Sequence, residues 1–100
     1  ADDLRDAEDT FLRSAAQTVR ARLSHLLLSI THRDAKMSAD GVWTLNLPLS
    51  RQDIAAMLGT RPETLARAIH AIETDGVARF YGRTVVVDDL DALLDEVETA

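Results

Sequence analysis

The sequence predicts an α+β domain that is mostly α-helical, and three observations support this fold class. Apolar residues recur at three- and four-residue steps through the first third of the chain, which is the spacing of an amphipathic helix. Two shorter helical segments then lie on either side of a glycine-containing turn at residues 59–61. Two short runs that include valines and a threonine follow, separated by a glycine, and such runs are typical of a β-hairpin.

Length and charge limit the size of the fold and the functions that this domain can have. One hundred residues, 46% hydrophobic and 28% charged, correspond to a single globular domain. The net charge of −6 is unfavourable for binding nucleic acid, but the charge is unevenly distributed. Residues 11–87 hold ten basic against six acidic side chains, a local charge of +4, whereas both ends are acidic. There is no cysteine, which excludes disulfides, cysteine zinc sites and thiol catalysis.

The sequence also predicts a compartment. No apolar run approaches the roughly 20 residues that span a bilayer, and the acidic N-terminus does not match a secretory signal. We therefore expect a cytoplasmic protein with no membrane partner. The chain starts without methionine, which suggests a fragment of a longer protein.

The first element is a helix over about residues 3–33, a stretch without glycine or proline. Both one long helix and two helices meeting near residues 17–20 are consistent with it. The apolar positions that define its buried face are Leu4, Phe11, Ala15, Val19, Leu23, Leu26, Leu27 and Ile30. A polar loop is predicted at 32–41, followed by an alternating strand at 42–47 with Trp43 in the core.

Next come the two short helices. Ser50 is a good N-cap for the first, with Asp53 three residues on, close to a capping box. This helix runs to residue 58 and is ended by Gly59 in the left-handed region. Pro62 begins the second helix, because a proline at the first helical position removes only an N–H group that has no partner there. That helix runs to about residue 75.

The chain then forms a hairpin and a last helix. Residues 77–80 and 83–87 are predicted strands joined by a turn at Tyr81 and Gly82. Either Asp88 or Asp89 caps the final helix, whose inward residues are expected to be Leu90, Leu93, Leu94 and Val97. This order predicts a winged helix-turn-helix with an N-terminal helical extension.

A helical wheel for residues 62–75 separates a polar face from an apolar one. Glu63, Arg67 and His70 fall on the polar face, opposite Leu65, Ala68, Ile69 and Ile72. Arginine reads guanine O6 and N7, and glutamate accepts from cytosine N4, so this face suits base readout in a major groove. The alternative is an ordinary i,i+4 ion pair between Glu63 and Arg67 on a solvated helix.

Residues 50–87, "SRQDIAAMLGTRPETLARAIHAIETDGVARFYGRTVVV", resemble the DNA-binding domain of the Crp/Fnr family of bacterial transcription regulators. The resemblance rests on a cap followed by R-Q-D-I-A, then L-G, E-T-x-x-R, I-E and G-R-T-x-x-V. It implies that residues 1–18 end a dimerisation helix and that residues 19–100 form the winged helix-turn-helix. The family's sensor domain would precede this segment and is not part of it.

The resemblance also assigns roles to individual residues. Glu63 and Arg67 match the family's base-reading positions. The predicted phosphate-binding residues are Ser50, Arg51, Gln52, Arg61, Thr64, His70, Tyr81 and Arg83. For Tyr81, a phosphate contact, a minor-groove contact and a plain turn role all remain open.

Two positions depart from the family pattern. Pro62 stands where the cyclic-AMP-receptor branch has an arginine, and Ala66 stands where the Fnr branch has a serine. Ala66 can offer only a methyl contact to a base, for example to thymine. The operator sequence is therefore not specified by these motifs.

The expected partners are double-stranded DNA with a palindromic operator, a second copy in the full-length protein, and RNA polymerase. No cofactor is expected in this segment. His25, His32 and His70 lack metal-ligand spacing, and no catalytic constellation is present, so neither a metal site nor an enzyme is predicted. The alternative function, which the net charge of −6 favours, is a winged-helix module that binds another protein.

Overall fold

The computed structural model describes the backbone of residues 2–99 and the side chains of residues 15–33 and 35–98. Helix α1 (Asp2–Asp34) is uninterrupted, so the long single helix is the correct one of the two alternatives. The backbone has no break at the predicted domain boundary between residues 18 and 19, and that boundary stays a prediction. The side chains of Leu4 and Phe11, assigned to its buried face, lie outside the described residues.

A four-stranded antiparallel sheet packs beside the helices, in the order β1-β2-β4-β3. Its strands are β1 (Lys36–Met37), β2 (Trp43–Asn46), β3 (Ala78–Tyr81) and β4 (Thr84–Val87). Strand β1 was predicted as part of a loop. Two exposed residues carry no periodicity, and they form a strand only because Lys36 and Met37 pair with Thr44 and Trp43 of β2.

The β3–β4 hairpin, here called the wing, turns one residue later than predicted. Tyr81 pairs with Thr84 at the end of the ladder, so the turn consists of Gly82 and Arg83. The N–H of Leu47 donates to the carbonyl of Arg83 at 2.7 Å, which ties the turn to the end of β2. Tyr81 is therefore a strand residue, and Arg83 is the turn residue.

Helices α2 (Arg51–Met57) and α3 (Pro62–Thr74) form the helix-turn-helix with the predicted caps. The hydroxyl of Ser50 accepts from the N–H of Asp53 at 3.2 Å. Gly59 has φ +71°, a conformation that side chains with a Cβ rarely adopt. Its N–H donates to Ala56 and that of Thr60 to Ala55, the two hydrogen bonds of a Schellman motif. Pro62 is the first helical residue of α3, as predicted.

The core lies between α1, α3, α4 (Leu90–Thr99) and the sheet. Its most completely buried large side chains are Leu23, Leu27, Leu45, Ile54, Leu65, Ile72, Val85, Val87 and Leu93. Trp43 packs half-buried against this core. Asp89, not Asp88, caps α4 by accepting from the N–H of Ala92 at 3.0 Å. The prediction that Leu94 points inward is wrong, because it lies at the edge of the buried stripe and is 40% exposed.

Candidate DNA-binding surface

The exposed face of α3 carries the residues predicted to read bases. Glu63, Ala66, Arg67 and His70 are all exposed. On the opposite side Leu65, Ala68, Ile69 and Ile72 are buried against the core. Packing of that apolar side fixes the rotation of the helix, and therefore fixes which side chains face outward. We call the four exposed residues the reading face.

Glu63 and Arg67 do not form the ion pair that was the alternative interpretation. Neither has an ion pair or side-chain hydrogen bond with any residue whose side chain the structure describes. Both lie in the first two turns of α3, where a helix in a major groove approaches the base edges. The carboxylate and the guanidinium are therefore free to accept and donate hydrogen bonds to a ligand.

Most of the predicted phosphate-binding residues surround the N-terminal ends of α2 and α3. Gln52 and Arg61 are exposed, and Thr64 is half-buried. Arg61 is the N-cap residue of α3, with extended backbone angles and no side-chain cap bond. Ser50 is half-buried, and its hydroxyl is already engaged as the cap of α2. The N–H groups at these two helix ends add partial positive charge beside the side chains.

The half-buried Arg51 contacts the wing through its guanidinium. Its Nη2 donates to the carbonyl of Gly82 at 3.0 Å, and its Cζ lies 5.1 Å from the centroid of the Phe80 ring. Its Nη1 is buried without a hydrogen-bond partner. Desolvation by burial lowers the pKa of Arg51, and the negative charge of Glu73 partly opposes this shift.

The outer face of the wing carries a second arginine that the sequence did not single out. Arg79 donates from Nε and Nη2 to the two carboxylate oxygens of Asp88, both at 2.8 Å. Its Nη1 donates to the hydroxyl of Tyr81 at 3.2 Å. The hydrogen bond to Asp88 raises the pKa of Arg79. Tyr81, 57% exposed, keeps its own O–H free to donate.

Behind α3, a cluster of Arg20, Ser24, Asp75 and Glu96 holds the helix against α1 and α4; we call it the Arg20 cluster. Arg20 Nε donates to Glu96 Oε1 at 2.6 Å, and its Nη1 lies 2.7 Å from Asp75 Oδ2 at the C-cap of α3. The buried Ser24 hydroxyl donates to Glu96 Oε2 at 2.8 Å. The hydrogen bond to Glu96 raises the pKa of Arg20.

Sequence reasoning missed the Arg20 cluster because its residues are far apart along the chain. Arg20 and Ser24 precede their shared partner Glu96 by 76 and 72 residues. The only local signal was a small polar residue, Ser24, between apolar positions of α1. A second long-range bond joins Arg22 Nη1 to the carbonyl of Leu58 at 2.8 Å, beside the turn between α2 and α3. Both contacts orient the helix-turn-helix on α1.

Other kinds of site find no support in the part of the chain that the structure describes. There, no group of three or more His, Cys, Asp or Glu side chains is placed to hold a metal ion. His25 and His32 are exposed on α1. Within the same residues no helix is both long and apolar enough to cross a membrane.

Comparison with known proteins identifies the family. Residues 21–96 match the family model described as the Crp-like helix-turn-helix domain. The transcriptional activator protein FnrL of Cereibacter sphaeroides is 36% identical over 99 residues, which cover 95% of this chain and 40% of FnrL. The nitrogen fixation regulation protein FixK of Azorhizobium caulinodans is 32% identical over 92 residues, covering 91% of this chain and 37% of FixK.

The same fold occurs in solved structures. The CO-dependent transcription factor CooA from Carboxydothermus hydrogenoformans, in its imidazole-bound form, superposes with a TM-score of 0.75 at 24% identity. The match covers 94% of this chain and 43% of that one, and it confirms the winged helix-turn-helix. The chain thus spans about two fifths of the length of the relatives it matches. Because the family match covers more than half of its residues, the chain belongs to the Crp-like helix-turn-helix domain family of transcription regulators.

Proposed function

We propose that this domain binds double-stranded DNA sequence-specifically, with α3 in the major groove and Glu63 and Arg67 at the base edges. The observation that carries the proposal is the reading face: both charged side chains are exposed and unpaired among the described residues. An α-helix fits the major groove, and an arginine with an unoccupied fork can donate two hydrogen bonds to guanine. Ala66, between them in sequence, leaves room for a methyl contact with thymine.

Phosphate contacts set the register of the helix in the groove. Gln52, Arg61, Thr64 and His70 extend from the edges of α2 and α3, and Arg83 extends from the wing turn. Tyr81 can add a contact through its free O–H, to a phosphate or in the minor groove. These side chains, together with Ser50, approach the backbone on both sides of the reading face.

In the full-length protein we expect two such domains on a palindromic operator. One domain presents a single reading face, so affinity rises when a dimer presents two on matched half-sites. Residues 1–18 would form the end of the dimerisation helix, and RNA polymerase would be a further partner. This segment needs no cofactor of its own for DNA binding, and the protein would act in the cytoplasm.

Selection of bound duplexes from a random pool, followed by fluorescence anisotropy titration, tests the proposal. We expect a defined half-site, and an affinity that falls steeply as salt rises because cations are released from the phosphates. Arg67→Ala is expected to lose about 1–3 kcal/mol of discrimination at one base pair, roughly 5- to 150-fold.

Arg33→Ala is the matched control, because Arg33 is an exposed arginine at the end of α1, outside the predicted contacts. It should leave the base preference unchanged. Recovery of no preferred sequence, or an Arg67→Ala variant with the wild-type preference, would contradict base readout by this face.

A further inference from the structure

Arg51 fills the space between the start of α2 and the wing. Its Nη2 donates to the carbonyl of Gly82 at 3.0 Å, and its Cζ stands 5.1 Å from the Phe80 ring centroid. One guanidinium thus contacts both the wing turn and the strand that leads to it. Arginine is suited to this position because its planar, weakly hydrated group stacks on a ring while it donates hydrogen bonds at its edge.

Arg51 is half-buried, and its guanidinium lies against the wing. Its Nη1 is buried and has no hydrogen-bond partner among the described residues. Desolvation by this partial burial is the main cause of the lowered pKa of Arg51. Gln52 and Arg61, by contrast, are exposed.

The wing is also tied to α3 and to β2. Glu73 Oε2, on α3, accepts from the backbone N–H of Phe80 at 3.1 Å. The Arg83 carbonyl accepts from the N–H of Leu47 at 2.7 Å. The carbonyls of both turn residues are therefore hydrogen-bonded. The Gly82 carbonyl accepts from the Arg51 side chain of α2, and the Arg83 carbonyl accepts from the backbone N–H of Leu47, which follows β2.

We infer that Arg51 is a positioning residue that sets the place of the wing turn relative to α3. The inference rests on the proposed function, since the wing turn matters because Arg83 extends from it towards DNA. Arg51 thereby acts on binding through Arg83. A turn that is free to move would present the Arg83 guanidinium at a variable distance from the reading face, and binding would have to restrict that motion.

The test compares Arg51→Lys with Arg51→Ala by anisotropy titration on the selected duplex. Lysine keeps the charge but lacks the planar fork that stacks on Phe80 and donates to Gly82. We expect Arg51→Lys to lose about as much affinity as Arg51→Ala, roughly tenfold for the loss of one charge-assisted contact at Arg83. Phe80→Leu, which removes the ring but keeps an apolar side chain, should weaken binding in the same direction.

A double-mutant cycle with Arg83→Ala distinguishes positioning of the wing turn from direct phosphate contact by Arg51. If Arg51 acts through Arg83, the Arg51→Ala/Arg83→Ala double variant binds within about twofold of Arg83→Ala alone. The inference would be overturned if Arg51→Lys bound with wild-type affinity. It would also be overturned if the loss of affinity in the double variant equalled the product of the two single losses, because either result would show that Arg51 contacts phosphate directly.

A readout in the DNA-free protein makes failure of this inference distinguishable from failure of the proposed function. In ¹⁵N relaxation, we expect the backbone order parameters of residues 82 and 83 to fall from about 0.85 to below about 0.6 in Arg51→Lys, with those of α3 unchanged. Unchanged order parameters in the wing turn would refute the positioning role, whether or not the protein binds DNA. Circular dichroism of each variant confirms that it is folded.

Discussion

The two sides of α3 hold their charged residues in opposite ways. Behind the helix, Arg20 and Glu96 are joined by hydrogen bonds and their side chains are only 19% and 18% exposed. In front of it, Glu63 and Arg67 are exposed and have no ion pair with any described side chain. The paired charges link α3 to α1 and α4, whereas the unpaired charges are accessible to a ligand, as the proposed function requires.

The same division applies to the acidic side chains of this chain. Several acidic side chains are engaged with arginines on other surfaces: Asp75 and Glu96 with Arg20, and Asp88 with Arg79. Where such a pair is partly buried, removal of one partner leaves the other uncompensated. Where a charge is exposed and unpaired, removal costs little stability and changes only what the surface can bind.

The largest expected effect comes from breaking the Arg20 cluster. Glu96→Ala removes the carboxylate that accepts from Arg20 and Ser24, and we expect it to lower the free energy of unfolding by about 2–3 kcal/mol. Glu98→Ala, an exposed carboxylate on the same helix, is the control and should stay within about 0.5 kcal/mol. Urea denaturation measures both, and equal stability of the two variants would show that the cluster does not hold α4 and α3 in place.

A substitution on the reading face should change DNA recognition and leave the stability almost unchanged, the opposite of the result expected for the Arg20 cluster. Glu63→Gln replaces a carboxylate that accepts from cytosine N4 by an amide that can bond adenine N6 and N7. We expect the preferred base at one operator position to change, by about 1–3 kcal/mol, while the free energy of unfolding stays within about 0.5 kcal/mol of the wild type. Glu98→Gln makes the same chemical change outside the reading face. If duplex selection returns the same operator for wild type and Glu63→Gln, Glu63 does not read a base.

Ser50 combines a structural and a predicted binding role, because it caps α2 and is also predicted to bind phosphate. Ser50→Ala removes the hydroxyl that accepts from Asp53 and is expected to cost about 1 kcal/mol, or roughly 4–8 °C in Tm. Ser50→Asp keeps a cap, so its Tm should stay close to that of the wild type, while its carboxylate repels phosphate and lowers the DNA affinity. Wild-type affinity in Ser50→Asp would restrict Ser50 to the capping role.

Much of this fold follows from local sequence signals. Ser50, Gly59 and Pro62 define the ends of α2 and α3 through hydrogen bonds and φ angles within a few residues, so their positions could be predicted. The apolar period of α3 likewise determined which of its faces is buried, and hence that Glu63 and Arg67 lie outward.

Only the tertiary structure decided the features that depend on distant residues. Strand β1 exists through pairing with β2, Leu94 is exposed because the neighbouring elements leave it at the edge of the buried stripe, and the Arg20 cluster joins residues 76 positions apart. Arg51 is a further example, because its contacts with Gly82 and Phe80 depend on how the wing packs against α2. A sequence pattern records spacing along one segment, whereas burial and partner choice depend on how segments meet.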